Sequence, residues 1–108
     1  MSEPPSPGIP PSNLAVTLRI KVRPNLVGKM RVIAHDLTTA SRHEDGCLFY
    51  TISQSKEDES LFLISMIWRD EESYRKHAES PYVRAFGHEI ARELLEKRVV
   101  KQLWHALG

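Results

Sequence analysis

The feature that most restricts the fold of this chain is an almost uninterrupted apolar run of eight residues, Leu61–Trp68, in which Ser65 is the one polar position. Successive side chains of a strand point to opposite faces, and here both sets are apolar. A strand of this kind is typical of a sheet that is covered on both sides. The run stops at Arg69, and we predict that a helix begins just after it, with Asp70 as N-cap and Glu71 in the first turn.

Two helical segments are predicted after this strand, because Ser80-Pro81 interrupts the helical pattern. The first segment is short and carries Tyr74 and His77 on the same face. The second starts at Pro81, with Ser80 as the expected cap. It is the longer of the two, and its apolar stripe consists of Val83, Phe86, Ile90 and Leu94.

The remaining segments complete an alternation of strands and helices. Residues 14–22 alternate apolar and polar side chains, which predicts a half-buried strand. Apolar residues at spacings of three and four predict a helix over 26–42, and further strands are predicted over 47–53 and 99–107. The resulting order is strand, helix, strand, strand, helix pair, strand. It predicts an α+β, ferredoxin-like split βαβ unit with a four-stranded antiparallel sheet.

The second face of the predicted sheet needs a cover. The helices are expected on one face, yet the last strand has Leu103 and Leu107 on one side and Val100 and Trp104 on the other. A sheet face that is exposed to water should instead alternate with polar residues. We therefore predict a homodimer that packs sheet against sheet, with the C-terminal strand at the interface.

Composition excludes several other classes of protein. The 108 residues suffice for one domain, and 15 basic against 14 acidic residues give no reason to expect a nucleic-acid partner. No apolar stretch approaches the ~20 residues of a membrane-spanning helix, so membrane insertion is not expected. The N-terminus does not resemble a secretory signal, and the single cysteine, Cys47, fits a reducing compartment. We therefore expect a cytoplasmic protein.

The domain itself is predicted to occupy residues 13–108. Residues 1–12 hold five of the seven prolines, so they cannot form a helix or an inner strand. We predict that this segment is a disordered, extended arm.

No motif for a metal or a nucleotide cofactor is present in the sequence. The chain has neither a glycine-rich dinucleotide loop nor a phosphate-binding loop. His88-Glu89 resembles the start of a zinc-protease helix, but Arg92 stands where the second histidine is required, and a lone Cys47 offers no metal framework. We therefore expect neither metal nor cofactor, and predict an apolar site with a few polar groups between sheet and helices.

Several residues around the apolar strand occur in an order that is typical of one known family. The matching residues, in chain order, are the segment Asp45-Gly46-Cys47-Leu48-Phe49-Tyr50, the strand-terminal Trp68, Asp70, His77 at the end of the short helix, Ser80-Pro81 and Arg84-Ala85-Phe86. In this ordered set, from Asn13 to the C-terminus, the chain resembles the antibiotic biosynthesis monooxygenase (ABM) family.

The resemblance implies a dimeric α+β barrel in which the last strand crosses towards the neighbouring subunit. It also implies a cofactor-free monooxygenase, an oxidoreductase that acts with O₂ on a quinol or a related electron-rich aromatic substrate. Such an enzyme has to hold a flat apolar molecule, promote its deprotonation and exclude water. Aromatic side chains serve the first purpose, and a histidine serves the second.

Trp68 and His77 are the candidate catalytic residues, since they match the family's strand-terminal tryptophan and helix histidine. Trp68 has a competing interpretation as a core residue, and His77 as a hydrogen-bonded histidine near a helix C-terminus. The candidate substrate-binding residues, none of them a metal ligand, are Tyr50, Tyr74, Tyr82, Phe86, Ile64 and Met66.

Four positions depart from the family's patterns. Members that oxidise polyketide phenols carry an asparagine at the position of Ile64, and many quinol-oxidising members carry a glutamate at the position of Met66. The haem-degrading branch has asparagine and tryptophan in place of Leu18 and His77, which disfavours haem degradation. Two alternatives stay open: an isomerase or degradation enzyme for a small metabolite, with His77 as proton shuttle, and a non-catalytic, dimeric ligand-binding or stress-associated barrel protein.

Overall fold

The computed structural model describes residues 13–97 and 99–107, so the predicted arm of residues 1–12 lies outside the described residues. The order of the elements is the predicted one. They are β1 (Leu14–Lys21), a 3-10 turn (Pro24–Leu26), α1 (Val27–Ser41), β2 (Cys47–Gln54), β3 (Leu61–Trp68), α2 (Glu71–Glu79), α3 (Pro81–Glu89), a π-helical segment (Ile90–Leu94) and β4 (Val100–His105). Among these helices, none has the length and apolar character required to cross a membrane.

The four strands form one antiparallel sheet in the order β2-β3-β1-β4. The central strands are therefore β3 and β1, and the predicted α+β ferredoxin-like fold is confirmed. The register places Val16 opposite Met66, so apolar residues of both central strands meet on the same face. A register shift between Cys47 and Phe49 forms a bulge in β2, after which Tyr50 faces the core.

The hydrophobic core lies between one face of the sheet and the helices. Alternate residues of β3 are buried in it, namely Phe62, Ile64, Met66 and Trp68. The predicted stripe of α1 is buried at Met30, Ile33 and Leu37. Each such side chain contributes roughly 1.5–3 kcal/mol when it is fully removed from water. The backbone around the site described below is therefore held by the hydrophobic core.

The other face of the sheet carries an apolar row that no described helix covers. In the strand register, Phe49, Ile67, Ala15 and Trp104 lie side by side across all four strands. Phe49 and Trp104 are each 48% exposed, and Leu63, farther along β3, is 41% exposed. The helices thus leave one sheet face open, as the sequence predicts, and the covering of that face by a second copy stays a prediction.

The ends of the two short helices are satisfied in different ways. Asp70 caps α2 as predicted, because its carboxylate accepts a hydrogen bond from the Ser73 amide at 2.7 Å. Ser80 occupies the predicted N-cap position of α3, but its side chain makes no capping hydrogen bond there. Its hydroxyl donates instead to the carbonyl oxygen of His77 at 2.6 Å, so it satisfies the end of α2. Pro81 has no amide hydrogen to satisfy, which lets α3 start without a side-chain cap.

The helical chain that starts at Pro81 does not end as the uniform α-helix that its stripe predicts. Its last residues, Ile90–Leu94, form a π-helical turn, in which the Leu95 amide donates to the carbonyl oxygen of Ile90 at 3.1 Å. Both Ile90 and Leu94 are buried by this wider turn. Leu95 then forms an isolated β-bridge with Val22, which brings the chain back to the sheet before β4.

Candidate functional site

A cavity of about 230 Å³ lies between the sheet and the helices. Its lining residues come from the strands β1, β2 and β3, from α1 and α2, and from the helical chain after Pro81 with the segment that leads to β4. Its lining residues are apolar or glycine, with the exception of His77 and Tyr50. A cavity of this composition suits an apolar molecule that carries one or two polar groups.

Four of the candidate residues line this cavity, namely Tyr50, Ile64, Met66 and His77. The other four do not line it. Trp68 is fully buried in contact with His77, and Tyr74 and Tyr82 flank the same ring. Phe86 packs partly buried against the core. The structure therefore gathers Trp68 and the three tyrosines around His77, and it places Trp68 in the core rather than in the cavity wall.

Aromatic side chains enclose the His77 ring, which is 3% exposed. Its centroid lies 4.5 Å from that of Trp68, with 35° between the planes. The rings of Tyr50 and Tyr82 follow at 5.8 Å and 6.4 Å, the latter edge-on. An apolar enclosure of this kind disfavours a charged imidazole, because the cation loses its hydration.

Glu44, a residue that the sequence patterns did not indicate, forms the hydrogen bond of the His77 ring. Its Oε2 lies 2.6 Å from Nδ1 of His77. Glu44 follows α1 and His77 lies in the last turn of α2, so no helical or strand spacing connects them. The one trace in the sequence is an acidic residue two positions before Gly46, in the turn that enters β2.

Gly46 fixes the turn that carries Glu44. Its φ of +84° lies in the left-handed region that residues with a Cβ rarely adopt, and a Cβ there would also collide with the side chain of Ser73. The Gly46 carbonyl accepts a hydrogen bond from the Arg69 amide at 2.8 Å, and the Arg69 guanidinium pairs with Asp45 at 3.2 Å. The α1–β2 turn is thereby held against the start of α2, which brings Glu44 to His77.

Burial sets the protonation states in this site. It lowers the pKa of His77 below the ordinary value of 6.5, although the Glu44 carboxylate acts in the opposite direction. Burial also raises the pKa of Tyr50 and that of Tyr82, each to about 12. At neutral pH the imidazole is therefore mostly neutral and can accept a proton, whereas both phenols keep theirs and can donate hydrogen bonds.

The indole nitrogen of Trp68 is an unsatisfied donor. Within the described part of the chain, this fully enclosed N–H has no hydrogen-bond partner. An unpaired buried donor costs about 1–3 kcal/mol. The core beside His77 therefore contains a group that would gain free energy from an acceptor.

Metal-ligating side chains do not cluster in the described residues. Across 13–97 and 99–107, no three His, Cys, Asp or Glu side chains lie close enough together to hold a metal ion. The thiol of Cys47 is half-buried, and its pKa is raised mainly by burial. The polar groups available to a ligand in the cavity are thus the imidazole of His77 and the phenol of Tyr50.

Residues 13–89 match the sequence profile of a family described as antibiotic biosynthesis monooxygenase. This chain belongs to the ABM family. The matched region runs from the start of β1 to the end of α3, so it contains Glu44, Trp68 and His77. The resemblance seen in the sequence is thereby confirmed, and an ABM-type function is supported.

Several solved structures share the fold of this ABM chain. PA3566 from Pseudomonas aeruginosa superposes with a TM-score of 0.81 at 25% identity, over 90% of this chain and 96% of that one. Rv0793 from Mycobacterium tuberculosis gives a TM-score of 0.82 at 24% identity, over 90% and 97%. A Caulobacter crescentus protein described as a candidate antibiotic biosynthesis monooxygenase gives 0.82 at 20% identity, over 90% and 92%. Likeness at these identities shows the fold and leaves the substrate open.

Among curated proteins, the uncharacterized protein sll1783 of Synechocystis is similar to this ABM chain. The two are 26% identical over 73 residues, which cover 68% of this chain and 50% of the relative. The chain therefore corresponds to about half the length of that protein.

Proposed function

We propose that this ABM protein is a monooxygenase that oxidises a small quinol, or a related electron-rich phenol, with O₂. The observation that supports this most is the state of His77: a mostly neutral imidazole in the wall of an apolar cavity, bonded through Nδ1 to Glu44. Such an imidazole can accept a proton from a hydroxyl group that enters the cavity. The aromatic surface around it suits a flat substrate ring.

The first step of the proposed reaction is proton transfer from a substrate hydroxyl to His77. The O–H bond breaks, an N–H bond forms, and the electron pair stays on the substrate oxygen. The resulting phenolate donates electrons far more readily than the phenol, so it can pass them to O₂. Overall, a quinol with a free ring C–H and O₂ give a hydroxyquinone and water. One oxygen atom enters the ring, the other leaves as water, and the substrate supplies all four electrons.

The cavity favours a small substrate without a charged group near the ring. Its volume of about 230 Å³ lies below the roughly 300–1,000 Å³ that is typical of sites for drug-sized ligands. Ile64 and Met66 leave one wall apolar where, by the family resemblance, relatives carry an amide or a carboxylate. A charged substituent against this wall would lose its hydration without compensation. A quinol of one or two rings therefore fits better than a large polar polyketide.

We also propose that two copies pair through the open sheet face and β4 to form a dimeric barrel. The pairing is supported by the apolar surface of that face, which includes the exposed rings of Phe49 and Trp104 and the side chain of Ile67. Contiguous exposed apolar surface usually marks an interaction site. The indole N–H of Trp104 donates to Thr17 Oγ1 at 3.0 Å. The ring can therefore be covered by a partner without leaving a buried donor unpaired.

We infer a cytoplasmic location as part of the same proposal. A quinol and the free thiol of Cys47 both persist more readily in a reducing compartment than in an oxidising one. Fractionation of cells that express the full-length protein should recover it with cytoplasmic markers.

Oxygen uptake with a menadiol-type naphthoquinol tests the proposed reaction. The purified protein should consume O₂ faster than the spontaneous reaction, and ¹⁸O₂ should deliver one labelled atom to the product. His77→Gln should lower the enzyme-dependent rate by about 100-fold or more, because general bases typically contribute 10²–10⁴-fold. His88→Gln changes an exposed histidine of α3 and should leave the rate unchanged.

The alternatives give different results in the same experiment. Uptake equal to the spontaneous rate, or uptake that His77→Gln does not change, would contradict the proposal. Proton exchange into a substrate without consumption of O₂ would indicate an isomerase or a related enzyme on this scaffold. Binding of a quinol-sized ligand with neither reaction would indicate a ligand-binding barrel protein.

A further inference from the structure

We propose that Glu44 is a positioning residue, whose carboxylate holds neutral His77 in the tautomer with its proton on Nδ1 and its lone pair on Nε2. The inference rests on the proposed function, because it assigns to Glu44 the task of orienting the base towards the substrate. Glu44 is not part of the cavity wall. Its effect on the reaction therefore has to pass through His77.

The tautomer follows from the chemistry of the contact. A carboxylate only accepts hydrogen bonds, so the nitrogen that lies 2.6 Å from Oε2 of Glu44 has to carry a hydrogen. A neutral imidazole has one N–H group, and its other nitrogen keeps a lone pair. With Nδ1 of His77 protonated, Nε2 is the nitrogen that can act as a base.

Nε2 of His77 is available to a substrate. It makes no hydrogen bond within residues 13–97 and 99–107. Nε2 is not fully enclosed either. Among the described residues, the side-chain nitrogen or oxygen that is both fully enclosed and without a hydrogen-bond partner is Nε1 of Trp68, not Nε2 of His77. Since His77 lines the cavity, a hydroxyl group inside can reach this ring.

The same contact accommodates the charge that proton transfer creates. When a substrate O–H bond breaks and an N–H bond forms at Nε2, the electron pair stays on the substrate oxygen and the imidazole becomes a cation. The groups that face the ring are Glu44 from the α1–β2 turn, Tyr50 from β2, Tyr82 from α3 and Tyr74 from α2 itself. Among these described neighbours, the carboxylate of Glu44 is the group that can offset the positive charge in an apolar enclosure.

The position of Glu44 is itself restrained. Its side chain is 22% exposed, and its turn is fixed by the left-handed Gly46. The Tyr82 hydroxyl lies beside the carboxylate and within 3.2 Å of the Ser41 hydroxyl. A restrained carboxylate loses less conformational freedom on bonding His77 than a side chain in an exposed ion pair would.

Nitrogen NMR of the full-length protein with ¹⁵N-labelled histidine tests the inference, with His77 assigned by comparison with His77→Gln. The wild type should show Nδ1 protonated and Nε2 unprotonated at neutral pH. Glu44→Gln keeps the size and removes the charge, so it should lower the pKa of His77 and populate the second tautomer. Glu57→Gln is the matched control. It makes the same change at an exposed glutamate of the loop between β2 and β3, which does not line the cavity, and should change neither property.

Quinol-dependent oxygen uptake gives a second measurement. In Glu44→Gln, kcat/KM should fall by at least about tenfold and the acid limb of its pH profile should move to lower pH. Glu44→Asp restores a carboxylate and should recover part of the loss, and Glu57→Gln should match the wild type.

The outcomes separate this inference from the proposed function. Wild-type His77 that carries its proton on Nε2 would overturn the inference, and so would a Glu44→Gln variant with unchanged tautomer and pKa. The tautomer of His77 in the wild-type protein tests the inference even if the Glu44→Gln variant fails to fold. The expected tautomer in a protein that does not consume O₂ would support the role of Glu44 and count against the oxygenase function.

Discussion

The indole of Trp68 lies against the imidazole of His77, with centroids 4.5 Å apart and planes inclined by 35°. Trp68 is the last residue of β3, and His77 lies in the last turn of α2. His77, the candidate base, therefore packs against the central strand β3 through this aromatic contact. Because an imidazolium in contact with an indole quenches its emission, the fluorescence of Trp68 should report the charge of His77.

We expect the emission of Trp68 to fall with decreasing pH in a Trp104→Phe background, where it is the one remaining tryptophan. Burial lowers the pKa of His77, so the midpoint should lie below 6.5. Fluorescence titration measures it directly. His77→Gln in the same background should abolish the transition, and a midpoint at or above 6.5 would show that the enclosure does not disfavour the imidazolium.

His77 should also make the folded protein less stable in mild acid. Its pKa is lowered in the folded state by burial, so the unfolded chain binds the proton more readily. The contribution of this group to the free energy of unfolding should be complete above 6.5 and decline as the pH falls from there to the folded-state pKa. Urea unfolding of wild type and His77→Gln at several pH values measures this decline. A difference between the two proteins that does not vary with pH would contradict it.

Sequence patterns predicted those features of the fold that depend on residues close together in the chain. The apolar run of β3 needs only its own side chains to indicate a strand, whereas the covering of its second face stays a prediction. Asp70 caps α2 through the amide of Ser73, three residues away. The ordered elements then leave few topologies, since sequential strands usually pair and connections stay short. For these reasons the antiparallel ferredoxin-like arrangement followed from the sequence.

Contacts between distant segments could not be predicted in the same way. Glu44 reaches His77 across 33 positions, and the contact depends on how the turn after α1 packs against α2. Ser80 stands between two helices, and only the fold decides that its hydroxyl serves the first. Trp68 ends a strand beside the cavity, but its ring is oriented into the core. Each case depends on tertiary packing, which residue spacing does not encode.

Gly87 is an exposed residue of the cavity wall, so a side chain added there can narrow the cavity without disturbing the core. It lies on α3 and lines the cavity, and a Cβ there would meet nothing within 4 Å. Gly87→Leu should keep the fold and gain up to about 1 kcal/mol of stability, because glycine is a poor helix former. The added side chain takes up space that a substrate ring would need, so KM for the quinol should rise by about tenfold or more.

Gly28→Leu is the matched control for this change. Gly28 is an exposed glycine of α1 that also has open space around it, and it is not part of the cavity wall. Thermal unfolding and oxygen-uptake kinetics should show a similar or smaller gain in stability and an unchanged KM. A Gly87→Leu variant with unchanged KM would place the substrate outside this cavity.

Leu63 tests whether two copies pair through the open sheet face. It is 41% exposed and lies directly opposite Arg19 of β1. In a monomer, a glutamate at this position can pair with Arg19, so Leu63→Glu should change the free energy of unfolding by no more than about 1 kcal/mol. In a sheet-to-sheet dimer the same carboxylate would be buried at a cost of several kcal/mol. The dissociation constant should therefore rise by at least about 100-fold.

Val32→Glu is the matched control for the pairing experiment, because Val32 is 63% exposed on α1, on the side of the molecule opposite the open sheet face. Sedimentation velocity over a range of concentrations should show dimers for the wild type and Val32→Glu, and monomers for Leu63→Glu. A dimer that persists in Leu63→Glu would show that the copies pair through another surface. A wild type that stays monomeric at high concentration would contradict the pairing altogether, since its apolar row would then remain in contact with water.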